Sequence, residues 1–225
     1  MIPFLRKSIL KQASYLYDNY AWRLTDNKYH ALVAEMMLQR TNADQVLPVY
    51  IHFSEIYKTP EEFLKKNKTN IFKTLGLPQR QKYLKELSKL LKQLGYIPNQ
   101  KSELLKLPGV GDYVASAFLS LHTDQREVLV DSNIVRFYSR FFEFEANAET
   151  RRQKWFRELA EKVTPKKNFK QFNYGLLDFT RKVCKAKKPV CKECVLASRC
   201  EYLKDSDKIE IDRYLEKRKS RVRGK

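Results

Sequence analysis

Apolar residues return at helical spacing through most of the chain, as in Leu84, Leu87, Leu90, Leu91 and Leu94, which share one face of a 3.6-residue period. No sustained apolar/polar alternation flanked by turn pairs marks a strand or hairpin. The pattern predicts an all-α fold. Its punctuation falls at Gly76-Leu77-Pro78, Gly95 to Pro98, Pro108-Gly109, Thr164-Pro165 and Lys188-Pro189, which divides the chain into about ten helices. Thr59-Pro60-Glu61-Glu62 offers an N-cap, a proline at the first helical position and acids in the first turn. Asp131-Ser132-Asn133 precedes the periodic run Ile134, Val135, Phe137, Tyr138 and Phe141, so one of these polar side chains is expected to cap that helix. No repeat of solenoid length is present. Residues 204–225 are charge-dense and weakly apolar, and they are expected to form a loose helix fading into a basic, flexible tail.

With 225 residues, 43% of them hydrophobic, the chain can bury the core of one large or two modest domains. No apolar run reaches the length of about 20 residues that a membrane span requires, and Met1-Ile2-Pro3-Phe4-Leu5-Arg6 lacks the apolar core of a signal peptide. A monomer of the cytoplasm, associated with the nucleoid and not with a membrane, is expected. Lys and Arg number 45 against 26 Asp and Glu, a formal charge of +19, which favours a polyphosphate partner. Charge by itself does not separate a nucleic-acid binder from a protein of generally lysine-rich composition.

Two local patterns sharpen this. Cys184, Cys191, Cys194 and Cys200 are the only cysteines, separated by six, two and five residues. In a reducing compartment four clustered thiols read as ligands of one metal centre, and tetrathiolate chemistry suits zinc or an iron-sulfur cluster. Further upstream, Leu104 to Ala117 sets two helical runs around Leu107-Pro108-Gly109-Val110-Gly111. Gly109 and Gly111 allow positive φ and carry no side chain, so N–H groups at the start of the second helix could approach a phosphate. The same spacing also serves ordinary helix connections.

Taken in order, Leu107 to Gly111, Val130 to Arg136 and the four cysteines resemble the helix-hairpin-helix (HhH-GPD) DNA glycosylases of the endonuclease III and adenine-mismatch type. The resemblance runs over residues 18–203. It implies an all-α, two-lobed fold: a six-helix barrel at 24–126 carrying the hairpin, and a lobe made of 1–23 and 127–203 carrying a cluster loop at 184–200. It implies a 4Fe-4S cluster on Cys184, Cys191, Cys194 and Cys200, which positions Lys185, Lys187 and Lys188 against the backbone of double-stranded DNA. Gly109 and Gly111 would contact a phosphate.

The resemblance also assigns chemistry. Asp131 stands where the family has its catalytic aspartate, which stabilises the cationic sugar left when a base departs or prepares a water. A plain N-cap is its alternative role. Bifunctional relatives carry a lysine where this chain has Tyr113, and a phenol cannot form the Schiff base that leads to strand cleavage. A monofunctional enzyme is implied. Glu35 aligns with a glutamate that contacts or protonates the base, the bland alternative being an exposed helical glutamate. Within the helix Ala34 to Thr41, Gln39 and Arg40 would fill the space left by a flipped nucleotide. Leu77 would act as a wedge, with Gln79 or Arg80 reading the opposite strand.

Tyr113, together with Phe172-Asn173-Tyr174-Gly175-Leu176-Leu177-Asp178-Phe179, is similar to the thymine-mismatch branch. Only 25 residues follow Cys200, too few for the partner-checking domain usual in adenine-mismatch enzymes. The implied activity is removal of thymine or uracil opposite guanine in base excision repair. Adenine excision, a non-catalytic damage-binding module and a zinc-dependent basic DNA-binding protein are the alternatives.

Overall fold

The computed structural model describes residues 1–66 and 70–204, so the tail expected at the C-terminus lies, from residue 205, outside the described residues. Ten α-helices are present among them: α1 (Ile2–Leu16), α2 (Lys28–Met37), α3 (Ala43–Ile56), α4 (Pro60–Lys66), α5 (Arg80–Leu94), α6 (Lys101–Leu104), α7 (Asp112–His122), α8 (Ser132–Phe142), α9 (Lys154–Val163) and α10 (Phe169–Lys182). No strand occurs among the described residues. None of their helices is long and apolar enough to cross a membrane.

The chain forms two compact units. One comprises residues 18–129 and 166–173. Its centre is α2, in which every residue from Tyr29 to Met37 is buried. Asn27 starts this helix, its side chain accepting from the N–H groups of Tyr29 and His30. Thr59 caps α4 through the Glu62 N–H (3.3 Å), with Pro60 in the first turn. In α5, Leu84, Leu87 and Leu91 are buried whereas Leu94, in the last turn, is exposed. Burying each of those leucines stabilises by about 2 kcal/mol. Gly95, at φ +73, ends the helix in a left-handed cap.

The second unit comprises, among the described residues, 1–17, 130–165 and 174–204. Phe137, Tyr138 and Phe141 of α8 form its aromatic core with Phe156 and Phe179. Gly175 of α10 abuts α1: a Cβ there would meet the Ala13 Cβ at 2.7 Å and the Ile9 carbonyl at 3.2 Å. Residues 166–173, which the resemblance assigned to the cluster-bearing lobe, group instead with the hairpin unit. Two side chains tie them there: Lys170 pairs with Asp124 (3.6 Å), and the buried Asn173 amide donates to Ser120 Oγ (2.7 Å) and to the Glu127 carbonyl (3.1 Å).

Candidate active site and metal centre

The hairpin forms where the glycines stand. Gly109 adopts φ +78, and a Cβ there would lie 2.7 Å from Met36 Cε and 2.9 Å from Tyr83 Cβ, so this position needs glycine for both conformation and space. Gly111 differs from the expectation: its φ of −93 is open to any residue. It is exposed, with nothing within 4 Å of a built Cβ, so what glycine provides at position 111 is unobstructed access to the first N–H groups of α7. Asp112 and Tyr113 follow in the first turn of α7.

Tyr113 is half-buried. Beside it, Asp112 pairs with Lys101 (3.2 Å), which also meets Glu127 (2.9 Å). Burial pulls the Lys101 pKa down, but the two carboxylates outweigh it and hold the pKa above the usual lysine range. This amine is an occupied donor between two carboxylates.

Glu35 lies in the buried stretch of α2, not on a solvent face. Its Oε1 is 3.0 Å from His122 Nε2, with the two side chains 2% and 3% exposed. His122 is the last residue of α7, and Lys28 Nζ donates to its carbonyl oxygen.

Gln39 and Arg40 lie beyond α2, which ends at Met37, and so occupy a turn and not the helix expected there. Arg40 is exposed in the left-handed region at φ +61. Leu77 is partly buried against the core of its unit, and Gln79 is exposed. Arg80, one of the two candidates with Gln79 for reading the opposite strand, donates from Nη1 to the carbonyls of Met36 (2.8 Å) and Gln39 (3.3 Å).

In the other unit, Asp131 is the N-cap of α8, Oδ1 accepting from the Ile134 N–H at 2.7 Å. Oδ2 accepts from Asn133 Nδ2 at 3.0 Å. Burial raises the Asp131 pKa, and these hydrogen bonds oppose the rise. The network continues. Arg136 Nη1 donates to Asn133 Oδ1 (2.8 Å), and its Nη2 donates to the carbonyls of Cys184 (2.9 Å) and Thr180 (3.0 Å).

Cys184, Cys191, Cys194 and Cys200 are free thiols lining one small cavity with Phe137, Phe141, Phe179, Val183, Pro189, Val190 and Leu196. Burial pushes the thiols of Cys191 and Cys200 up, and that of Cys194 to about 11. Among the described residues no group of three or more His, Cys, Asp or Glu side chains is arranged to hold a metal ion. Arg140 braces this loop, donating to the Lys185 and Ala186 carbonyls (2.7 and 3.0 Å) and approaching Cys184 Sγ (3.6 Å). Lys185, Lys187 and Lys188 are exposed.

Residues 33–165 match the HhH-GPD superfamily of base excision DNA repair proteins. The chain belongs to this superfamily. Among curated HhH-GPD relatives, the thymine/uracil-DNA glycosylase of Methanothermobacter thermautotrophicus is 35% identical over 190 residues, covering 82% of this chain and 86% of that protein. The thymine-DNA glycosylase of Aeropyrum pernix is 36% identical, covering 80% and 85%. A solved thermostable thymine-DNA glycosylase superposes with a TM-score of 0.83 at 31% identity, over 91% of this chain and 97% of that one.

In this HhH-GPD protein, sequence reasoning missed His122, Asn133, Arg136 and Arg140 as parts of the site. One signal was available: a glutamate in an otherwise apolar run from Ala31 to Met37 must be buried and therefore needs a partner. Which residue supplied it, 87 positions away, was not legible.

Proposed function

We propose that this protein is a monofunctional DNA glycosylase that hydrolyses the N-glycosidic bond of thymine or uracil opposite guanine in double-stranded DNA. It would work as a monomer in the cytoplasm, at the nucleoid. The observation that carries the reading is similarity to thymine glycosylases over more than four-fifths of both chains. The chemistry supports it. As the bond between sugar C1′ and the pyrimidine N1 breaks, its electron pair leaves on the base and positive charge develops at C1′. The Asp131 carboxylate, held by Ile134 and Asn133, stabilises that charge and accepts a proton from the water whose oxygen bonds to C1′. Glu35 would contact the departing base once its buried contact with His122 opens. Tyr113 offers no amine at the position where bifunctional relatives carry their lysine, which supports base release without a Schiff base.

The hairpin N–H groups at Gly109 and Gly111 and the lysines at 185, 187 and 188 grip phosphates, while Gln39, Arg40, Leu77 and Gln79 serve the opened duplex. Four thiols around one small cavity suit a 4Fe-4S cluster, as the family spacing implies, and zinc is the alternative that the same donors allow. Bound there, the cluster would act as a rigid crosslink, since hydrolysis moves no electrons. Iron and acid-labile sulfide in anaerobically purified protein, against zinc, decide between them.

Duplexes carrying single T·G, U·G, A·G and A·8-oxoguanine pairs, incubated with the protein and then treated with alkali, test the activity. Cleavage at T·G and U·G is expected. Release confined to the adenine strands, or a protein-DNA adduct trapped by borohydride, overturns the reading.

A further inference from the structure

The turn after α2 is held in place from a distant part of the chain. A helix leaves its last carbonyls without intrahelical partners, and at the end of α2 a single guanidinium takes up two carbonyls of this stretch. Arg80 Nη1 donates to Met36 O at 2.8 Å and to Gln39 O at 3.3 Å, across 44 and 41 residues. Inside the turn, the Thr41 N–H meets Leu38 O at 3.4 Å and the Thr41 hydroxyl meets Gln39 O at 3.4 Å. Between them Arg40 is in the left-handed region, a conformation a side-chain-bearing residue keeps only when its surroundings impose it. The two arginines are close enough to repel, and the exposed Arg40 faces solvent while Arg80 turns inward.

Arg80 is also the first residue of α5, so the same side chain is joined directly to the Gly76 to Gln79 loop, its own N–H bonded to Leu77 O at 3.0 Å. One turn further on, Tyr83 packs against Gly109 of the hairpin, and Met36, whose carbonyl Arg80 holds, closes on the same face of that glycine. Arg80 therefore holds the Gln39-Arg40 turn and the 76–79 loop directly, and reaches the hairpin through Met36 and Tyr83.

We propose that Arg80 is a positioning residue that locks the Gln39-Arg40 turn to the 76–79 loop and the hairpin, so that gripping the backbone holds the inserting side chains in register for nucleotide extrusion. This rests on the reading above that Gln39 fills the space left by the extruded nucleotide. It removes Arg80 from direct base reading and leaves Gln79 in that role.

The test uses the full chain with a T·G duplex carrying 2-aminopurine beside the mismatch, whose fluorescence reports extrusion without requiring base release. In Arg80→Ala, extrusion and single-turnover base release should fall together by about tenfold or more, while affinity for undamaged duplex changes by less than about threefold. Arg80→Lys keeps a charged donor without the fixed fork and should recover part of the loss, which also covers failure of the alanine variant to fold. Gln39→Ala combined with Arg80→Ala should be no worse than the more damaging single variant, because both remove one action. The inference is overturned if Arg80→Ala extrudes like the parent. It is equally overturned if that variant mainly loses affinity with a shallower salt dependence, if it alters only opposite-base preference, or if the two losses multiply. A parent protein that extrudes but releases neither thymine nor uracil sinks the substrate reading and leaves the role of Arg80 standing; one that does neither sinks both.

Discussion

His122 Nε2 lies 3.0 Å from Glu35 Oε1, and neither side chain is more than 3% exposed. A carboxylate placed among Leu32, Val33, Met36 and Met37 is costly to bury without a partner. The imidazole supplies that partner from the end of α7, so the contact keeps Glu35 inside the unit at one fixed orientation.

Removing either member has a distinct outcome. His122→Ala leaves the carboxylate buried and unpaired and should cost about 3 kcal/mol in stability, read by urea unfolding. Glu35→Gln keeps a hydrogen-bonding amide of the same shape, and it should lose less than about 1 kcal/mol while base release falls by at least about tenfold. Unfolding of His122→Ala at the parent midpoint would contradict the buried-pair account.

Asp131 acts both as a cap and as the proposed catalytic carboxylate, and two substitutions separate these roles. Asp131→Asn retains the N-cap, so it should fold normally and bind duplex DNA while losing base release by about a hundredfold or more. Asp131→Ala removes the cap as well and should lose about 1 kcal/mol. Burial raises the Asp131 pKa, so the folded protein binds this proton more tightly than the unfolded chain. Ionising it therefore lowers stability as pH rises from the unfolded value through the folded one. Asp131→Asn should gain on the parent above that window and match it at lower pH, and the acid limb of parent activity should sit above the ordinary aspartate range. A stability difference that widens as pH falls would reverse the sign and refute this.

Arg136 joins the cysteine loop to Asp131 through Asn133. Arg136→Met should slow base release at saturating enzyme more than it weakens duplex binding, because the carboxylate loses the partner that holds Asn133. Cys194→Ser should abolish visible absorbance together with iron content, and chelation should have the same effect. Absorbance that survives in Cys194→Ser would remove that cysteine from the ligand set.

Lys185, Lys187 and Lys188 are exposed around a loop that Arg140 holds by its backbone. If each contacts a phosphate, each alanine variant should reduce the slope of log affinity against log salt by about 0.9. Slopes unchanged in all three would place the DNA track elsewhere.

Much of this architecture is legible one segment at a time. The helical period of α5, the caps at Thr59 and Asp131, the glycine at 109 and the spacing of four cysteines all express interactions between residues a few positions apart. Local sterics and hydrogen bonding decide such features, so the order of residues by itself determined an all-α chain with a hairpin and four cysteines close in sequence. Gly111 shows where that reasoning overreaches: the same residue type was expected to serve positive φ, yet it serves open space.

Pairings across the chain had to await the tertiary structure. Glu35 with His122, Arg80 with Met36 and Gln39, Arg136 with Cys184, and Asn173 with Ser120 each join residues more than 40 positions apart. No local propensity encodes which distant donor reaches a buried acceptor. That choice follows from how helices pack, because burial makes an unpartnered polar group costly and the packed geometry leaves only certain side chains within reach.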